Sequence, residues 1–496
     1  MNASLSYESL RRRLRGLPMV RVVIPLAIGI LIAGRYCVPI ALLCCLIALL
    51  LAASFFTSKS RYTFLLLLAV GVLRGSTITQ TLDLPIDRVV GLIVRVESNQ
   101  VRSDGRSTGE GVVEAWHDPQ ADKWHTSSAR ILLRTDSLTT IRGGEQLLIQ
   151  TRIYPIRGGS SSYRRLMSAR GFVGRCYLND KVILNRQEYP NTSLHLRAAQ
   201  QLQLLTAEAT DQEAAAVVRA MTLADRSGVN DQMRDRYAQS GLSHLLAVSG
   251  LHTGIVFVLI NLALGWMIFL RRGIVWRNLV AVLLLWLYVA ATDFQPSAVR
   301  AAIMCSLLQW SLSSLSIYNS LNSCAAAAAM MLLWHPQWIY DISFQLSMVA
   351  VVALISWGGL LFRTVKIRQP IVRYLLQGIC VALIASVATA PLVSHAFGRL
   401  SWIGIVTTPI VIPLAAITIG AGLCLLLLPL LKGVLLPLAT GCAHLQNQLA
   451  AVSGEWEAGH FDYTLSAWST VTCYLMLLVV TLLLWSVKRK KKEPFM

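Results

Sequence analysis

Apolar runs of about a bilayer's length dominate the chain, and the interruptions between them define its organisation. Runs at 19–34, 37–56 and 62–80 are followed by a polar block. A run at 241–270 comes next, and eight more lie at 274–292, 297–315, 319–335, 340–362, 375–397, 403–431, 434–453 and 469–487. A helix needs about 20 apolar residues to cross the hydrocarbon layer. The pattern predicts a polytopic α-helical membrane protein of about twelve spans. The run at 434–453 is the most polar, with His444, Gln446, Asn447 and Gln448. It also reads as an interfacial helix, in which case Pro409 and Pro413 would divide 403–431 into two spans.

Residues 83–190 follow a different period. VVGLIVRV (89–96), GVVEAW (111–116), ARILLRT (129–135) and EQLLIQTRIY (145–154) alternate in twos, with Gly, Asp, Ser and Asn clusters between them. This predicts one small twisted β domain, a barrel or a sandwich. From Thr151 to Arg186 the basic residues Arg152, Arg157, Arg164, Arg165, Arg170, Arg175, Lys181 and Arg186 stand against one acidic residue, Asp180. Tyr154, Tyr163, Phe172 and Tyr177 are interleaved with them. Cations for phosphates and flat rings for bases are what a single-strand nucleic-acid surface needs. A solvated Arg-rich loop above a core that uses the aromatics accounts for the same residues. Residues 191–240 lack a long apolar run and read as amphipathic helices on the membrane surface or against the β domain.

The stretch GLSHLLAVSGLHTGIVFVLINLALGWMIFL (241–270) organises the rest. It opens with His244, is interrupted at Ser249-Gly250, carries His252 and Thr253 inside the apolar run, and stops at Arg271-Arg272. Broken helix is tolerated at membrane depth only where it is buried in protein or lines a cavity. A histidine-bearing break therefore points to a polar path; a capped helix start at the interface is the plainer alternative. Arg300 lies within a later run. At mid-bilayer an Arg costs about 2.5–3.5 kcal/mol on insertion scales. It should face a bundle interior or water and find a partner, unless it snorkels from near an interface. Asp293 lies seven residues before it, and Asp341 begins another run with Gln345 one turn later.

Composition supports the membrane reading: 55% of residues are hydrophobic and 14% charged, against roughly 25% charged in soluble domains. The net charge of +20 is largely topological. If all twelve runs cross, then Arg11–Arg15, Arg61, Arg271-Arg272, the 363–373 turn, Lys432 and Lys488–Lys492 share one face. Positive loops stay inside, so both termini are expected in the cytoplasm. The Arg-rich start reads as the flank of a retained first span rather than a signal peptide. Of ten cysteines only Cys176 lies in the polar block, and no C-x-x-C occurs, so neither a disulfide framework nor a zinc ribbon is expected. There is no P-loop and no H-E-x-x-H, and the nine histidines are scattered. No metal or cofactor is expected. Ser249 and His252 make an isolated nucleophile–base pair with no evident acidic partner, so enzymatic activity is not expected.

The run GLSHLLAVSGLHTGI closely resembles the hallmark of the ComEC family, inner-membrane DNA-uptake channels of natural transformation. PSAVRAAIM (296–304), NSLNSCAAAAAMMLLWHPQWIYDISFQLSMVAVV (319–352) and TAPLVSHAFGRLSWIGIVTTPIVIPL (389–414) follow in the family's order. The β region, with GGSSSYRRLMSARGFVGRCYL (158–178), is similar to the family's extracytoplasmic OB-like domain. The resemblance implies a channel passing single-stranded DNA inward. It places the path at His244, Ser249, Gly250 and His252, with Arg300, Asp341 and Gln345 in neighbouring motifs, and the docking surface on Arg152, Arg157, Arg164, Arg165, Arg170 and Arg175. Implied partners are membrane lipid, a periplasmic DNA receptor, a cytoplasmic DNA translocase, a separate nuclease and, as an open possibility, further copies of the chain. Three departures stand out: no metallo-hydrolase domain follows the last span, Thr408 stands where the family usually has Asn, and Cys176 has no nearby partner for a loop disulfide. The expected layout is an N-terminal membrane segment (1–82), the β domain (83–190), amphipathic helices (191–240), the channel domain (241–487) and a basic tail (488–496). A small-molecule or envelope-precursor transporter, and a membrane enzyme centred on Ser249 and His252, are the alternatives.

Overall fold

The computed structural model describes residues 17–34, 43–50, 60–76, 84–101, 107–118, 122–136, 139, 141, 143–156, 167–168, 170–188, 193–314, 319–361 and 367–490. Two compact units result. One comprises Met1–Gln201, Asp225–Asp231 and Val256–Phe344; the other comprises Leu202–Ala224, Gln232–Ile255 and Gln345–Met496.

The first unit begins with α1 (Pro18–Ala33) and α2 (Ser60–Ser76). Gly71 and Gly75 form a G-x-x-x-G stripe on α2 that lets the two backbones touch. A Cβ on Gly71 would lie 2.3 Å from the Leu26 carbonyl, and one on Gly29 would lie 2.2 Å from that of Leu68. Of the expected second span only 43–50 is described, and it is helical.

The β domain follows with β1 (Val89–Val101), β2 (Ser107–Asp118), β3 (Lys123–Thr126), β4 (Arg130–Thr135), β5 (Glu145–Arg152), β6 (Phe172–Leu178) and β7 (Ile183–Glu188). Neighbours run β6-β4-β2-β1-β5-β7, with β3 paired to β2. All pairs are antiparallel except β4 with β6. Beyond β5 an antiparallel bridge joins Tyr154 to Arg175 of β6. Strand β6 thus meets β4 on one side and the extension of β5 on the other, and the sheet curls back on itself. Its interior follows the period of two: Val90, Leu92, Val94 and Val96 of β1 pack with Val113, Ile131, Leu133, Leu147, Ile149, Ile153, Cys176 and Leu178. The expected strands at 89–96, 111–116, 129–135 and 145–154 are all present. Strands β6 and β7 lie where the basic stretch masked the alternation of inward Phe172, Cys176 and Leu178 with outward Arg175 and Tyr177.

After α3 (Leu194–Thr206), α4 (Gln212–Leu223) and α5 (Asp231–Gln239) come α6 (Gly250–Ala263), α7 (Gly273–Ala291), α8 (Pro296–Ser314), α9 (Ser320–Trp334) and α10 (Ile342–Leu361). Then follow α11 (Pro370–Phe397), α12 (Gly404–Leu427), α13 (Lys432–Gly454) and α14 (Ala467–Lys490). A short ladder of β8 (Arg399–Ser401) with β9 (His460–Asp462) ties the turn after α11 to the segment before α14. Among the described residues, four helical stretches are long and apolar enough to cross a membrane: α7, Ile342–Gly359 of α10, α11 and α12. Helices α1, α6 and α9 and parts of α2 and α14 are apolar but shorter.

Three features differ from the sequence reading. The 241–270 run is not one helix: a 3-10 turn at Ser243–Leu245 precedes α6, which ends at Ala263 and yields to a second 3-10 turn at Gly265–Phe269. Gly265 is a poor helix former placed where the chain must turn back toward α7. Helix α12 is continuous through Pro409 and Pro413, and α13 pairs with it: Gln446, fully buried, donates to the Thr418 hydroxyl at 2.8 Å. Helix α4 does not lie on a surface. Asp211 caps its start by accepting from the Ala214 N–H, and every residue from Ala214 to Leu223 is buried. Small Ala side chains and Gly422 of α12, beside Thr222, allow this close approach.

Candidate functional site

The break before α6 has a local cause. Ser249 sits at the N-cap and His252 at the third helical position. The Ser249 N–H donates to His252 Nδ1 at 3.1 Å, and the Ser249 hydroxyl lies 2.7 Å from the same nitrogen. A backbone N–H can only donate, so Nδ1 is the acceptor and the neutral ring carries its proton on Nε2. This is one half of a capping box, the bond from the N-cap N–H to the N3 side chain, with imidazole in place of the usual glutamate. Gly250 is the first helical residue. His252 is fully buried; its Nε2 has no well-formed hydrogen bond, with the Leu245 backbone nearby. His244 is exposed, and its Nδ1 lies 3.2 Å from the Gly241 carbonyl. Gly241 itself takes φ +72° and meets Gly404 backbone to backbone: a Cβ on it would lie 2.9 Å from the Gly404 Cα.

The β domain assembles part of the predicted basic surface. The bridge between Tyr154 and Arg175 brings two cation–ring pairs together: the Arg152 guanidinium lies 6.0 Å from the Tyr154 ring centre, and that of Arg175 lies 5.7 Å from Tyr177. The two tyrosine rings meet edge to face at 5.5 Å. Arg152 and Tyr177 are exposed, Tyr154 and Arg175 partly so. Arg170 is not in this group. Its Nη2 and Nε reach Asp341 Oδ2 at 3.0 and 3.1 Å. Arg157, Arg164 and Arg165 lie outside the described residues.

Asp341 is buried and does two jobs at the start of α10. Its Oδ2 takes Arg170, while its Oδ1 accepts from the Ser343 N–H at 2.7 Å. Gln345 lies partly buried one turn on. Arg300, in the second turn of α8, is buried with an orphaned Nε. It does not snorkel.

Sequence reasoning missed a buried amide set. Gln309 of α8 donates to Asn261 of α6 at 3.1 Å and to Asn278 of α7 at 2.6 Å. One amide in each of three consecutive apolar runs was the available clue. The motif thus falls in two places. His244, Ser249, Gly250, His252 and Gln345 belong to one unit; Arg300, Asp341 and the basic surface belong to the other.

Apolar helices long enough to cross a bilayer, polar groups held among them and a small β domain define a membrane protein of mixed architecture. A family model described as "Competence protein" matches residues 221–488, more than half of the chain. The chain belongs to that competence protein family. It is also similar to ComE operon protein 3 of Bacillus subtilis (strain 168), 31% identical over 205 residues. That match covers 40% of this chain and 24% of the relative, so the chain spans about a quarter of the curated relative it matches. No solved structure matches it.

Proposed function

We propose that this chain is the channel through which single-stranded DNA crosses the inner membrane during natural transformation. Membership of the competence family is the foundation. The observation that carries the nucleic-acid part is the Arg152, Tyr154, Arg175 and Tyr177 cluster, which offers cations and ring faces side by side on one seam of the β domain. Stacking on aromatic rings tolerates any base, and arginines track the backbone. The strand order supports an OB-like reading of this domain. The order β1-β2-β4-β6-β5, with its one parallel pair between β4 and β6 and a bridge from the end of β5 to β6, is compatible with a Greek-key barrel of the kind that binds oligonucleotides.

In this reading the apolar helices make about twelve crossings, both termini are cytoplasmic, and the β domain is periplasmic. The strand is delivered by a periplasmic receptor and drawn inward by a cytoplasmic translocase, while a separate nuclease removes its complement. Further copies of the chain are compatible with the reading. In this reading the chain itself is not an enzyme, and a capping role for the Ser249–His252 contact supports that. The test is uptake of labelled DNA into the cytoplasm. A deletion strain is expected to lose it, and the wild-type chain or S249A to restore it. R152A/R175A is expected to restore it poorly. Full uptake without the gene, or dependence on the Ser249 hydroxyl, would overturn the proposal.

A further inference from the structure

We propose that the Arg300 guanidinium is the fixed counter-charge of an oxyanion site among the helices of its unit, and that the oxyanion is a phosphodiester of the transported strand. The inference rests on the channel reading and deepens it. Arg300 is 6% exposed, in the second turn of α8. Among the described residues no carboxylate, carbonyl or hydroxyl meets it, and its Nε is orphaned. Two thiols, Cys305 and Cys324, are close enough to feel its charge, but a protonated thiol is a weak acceptor. Elsewhere in the same unit three buried or partly buried polar groups are answered by the chain, although the Tyr288 hydroxyl and the Nε of Arg175, like that of Arg300, have no partner. Asp341 has Arg170, Gln309 has two asparagines, and Arg74 donates to the Leu333 and Trp334 carbonyls.

Arginine cannot escape burial by losing its proton. A buried cation is held by pairing, and here the described residues supply no partner, so the partner is sought outside them. Helix α8 adds to the attraction. It begins at Pro296, carries no acidic residue in its first turn, and so presents the positive end of its dipole one turn from the guanidinium. A planar fork of N–H groups matches two phosphate oxygens at once. A phosphodiester carries one negative charge per link, enough to balance one arginine. Phospholipid headgroups offer the same chemistry, and the test separates the two sources.

Cys305, partly exposed, and Cys324 are native reporters. Full-length protein in nanodiscs is labelled with anionic or cationic methanethiosulfonate reagents, and modification at each cysteine is read by peptide mass spectrometry. Without DNA the anionic reagent is expected to react several-fold faster at Cys305 than the cationic one. R300Q should abolish that bias and R300K should keep it, which separates loss of charge from loss of fold. A thymidine oligonucleotide should slow the anionic reagent several-fold in the wild type but not in R300Q, in phosphatidylcholine and phosphatidylglycerol discs alike. Absence of the charge bias in the wild type overturns the site. So does an oligonucleotide that binds the protein through Arg152 and Arg175 without protecting Cys305; the channel reading survives that result. Protection caused by phosphatidylglycerol alone assigns the site to lipid and overturns the strand assignment. An oligonucleotide that fails to bind the wild-type protein overturns the channel reading as well.

Discussion

The contact between Arg170 and Asp341 joins residues 171 positions apart, and its strength can be estimated from burial. The Asp341 side chain is 6% exposed and that of Arg170 38%. Removing one partner of a fully buried pair costs about 3–5 kcal/mol, because the other charge is stranded; exposed pairs are worth about 0.2–1 kcal/mol. With one partner buried and one more than a third exposed, R170A should cost about 2 kcal/mol. Asp341 keeps its bond from the Ser343 N–H in that variant. D341N should cost less, because the amide oxygen still caps α10 and the charge left behind, on Arg170, is more than a third exposed. D341A should cost most, adding about 1 kcal/mol for removal of the cap. The readout is hydrogen exchange in the full-length protein, on peptides covering 338–350 and 168–178. About 2 kcal/mol corresponds to roughly thirtyfold faster exchange of the Ser343 amide. The R170A/D341N pair completes a double-mutant cycle, with an expected coupling above about 1 kcal/mol. If the two changes add within about 0.5 kcal/mol, or if R170A leaves exchange in both peptides unchanged, the residues do not act as a pair.

Three further outcomes are expected. In the full-length protein, R152A/R175A should lower the salt slope of thymidine-oligonucleotide binding by about 1.4, at about 0.7 for each phosphate no longer neutralised, whereas Y177A should weaken binding by about 1–3 kcal/mol with little change of slope; an unchanged slope in R152A/R175A would place the phosphate-binding cations elsewhere. Burial pushes the Cys176 thiol from 9.0 up to about 12, so alkylation at pH 8 should require unfolding. The group's folded value is raised, so its contribution to stability is complete below pH 9 and is lost as pH rises toward 12, which base titration of the domain's circular dichroism would follow. At the α6 cap, H252Q supplies an oxygen for the Ser249 N–H and should preserve the fold, while H252F should destabilise it by about 1 kcal/mol; equal thermal stability of the two variants would deny the cap.

Much of this architecture is legible in the chain because hydrophobic period is a local property. The helix bounds at 274–292, 297–315 and 319–335 recur within a residue or two as α7, α8 and α9, since nothing but a turn can follow a run whose apolar stripe ends. The cap at Ser249 is equally local. S-x-x-H is one residue type away from the familiar S-x-x-E, and reading His252 as path lining passes over its acceptor nitrogen. Other features are not local. No pattern around Arg170 announces Asp341, so a residue assigned to a nucleic-acid surface turns out to hold a buried carboxylate. Arg152 and Arg175 lie 23 positions apart, and their two tyrosine rings meet only because the extension of β5 is bridged to β6 by closure of the sheet.

Burial alone does not separate assembly from transport among the polar residues in the helices; the source of each group's partner does. Gln309 finds Asn261 and Asn278, Gln446 finds Thr418, and Ser249 finds His252. The contacts of Gln309 and Gln446, which join neighbouring helices, are worth about 0.6 kcal/mol each on average, enough to fix which faces meet. A group answered from within the chain gains little by engaging a passing phosphate, because it must first surrender its partner. Arg300 has none to surrender among the described residues. Under the proposed channel function, the conduit is therefore better sought beside α8 than along the histidine-bearing cap. Variants at Arg300 should change passage of the strand, whereas variants at Gln309 or Gln446 should change how much folded protein reaches the membrane.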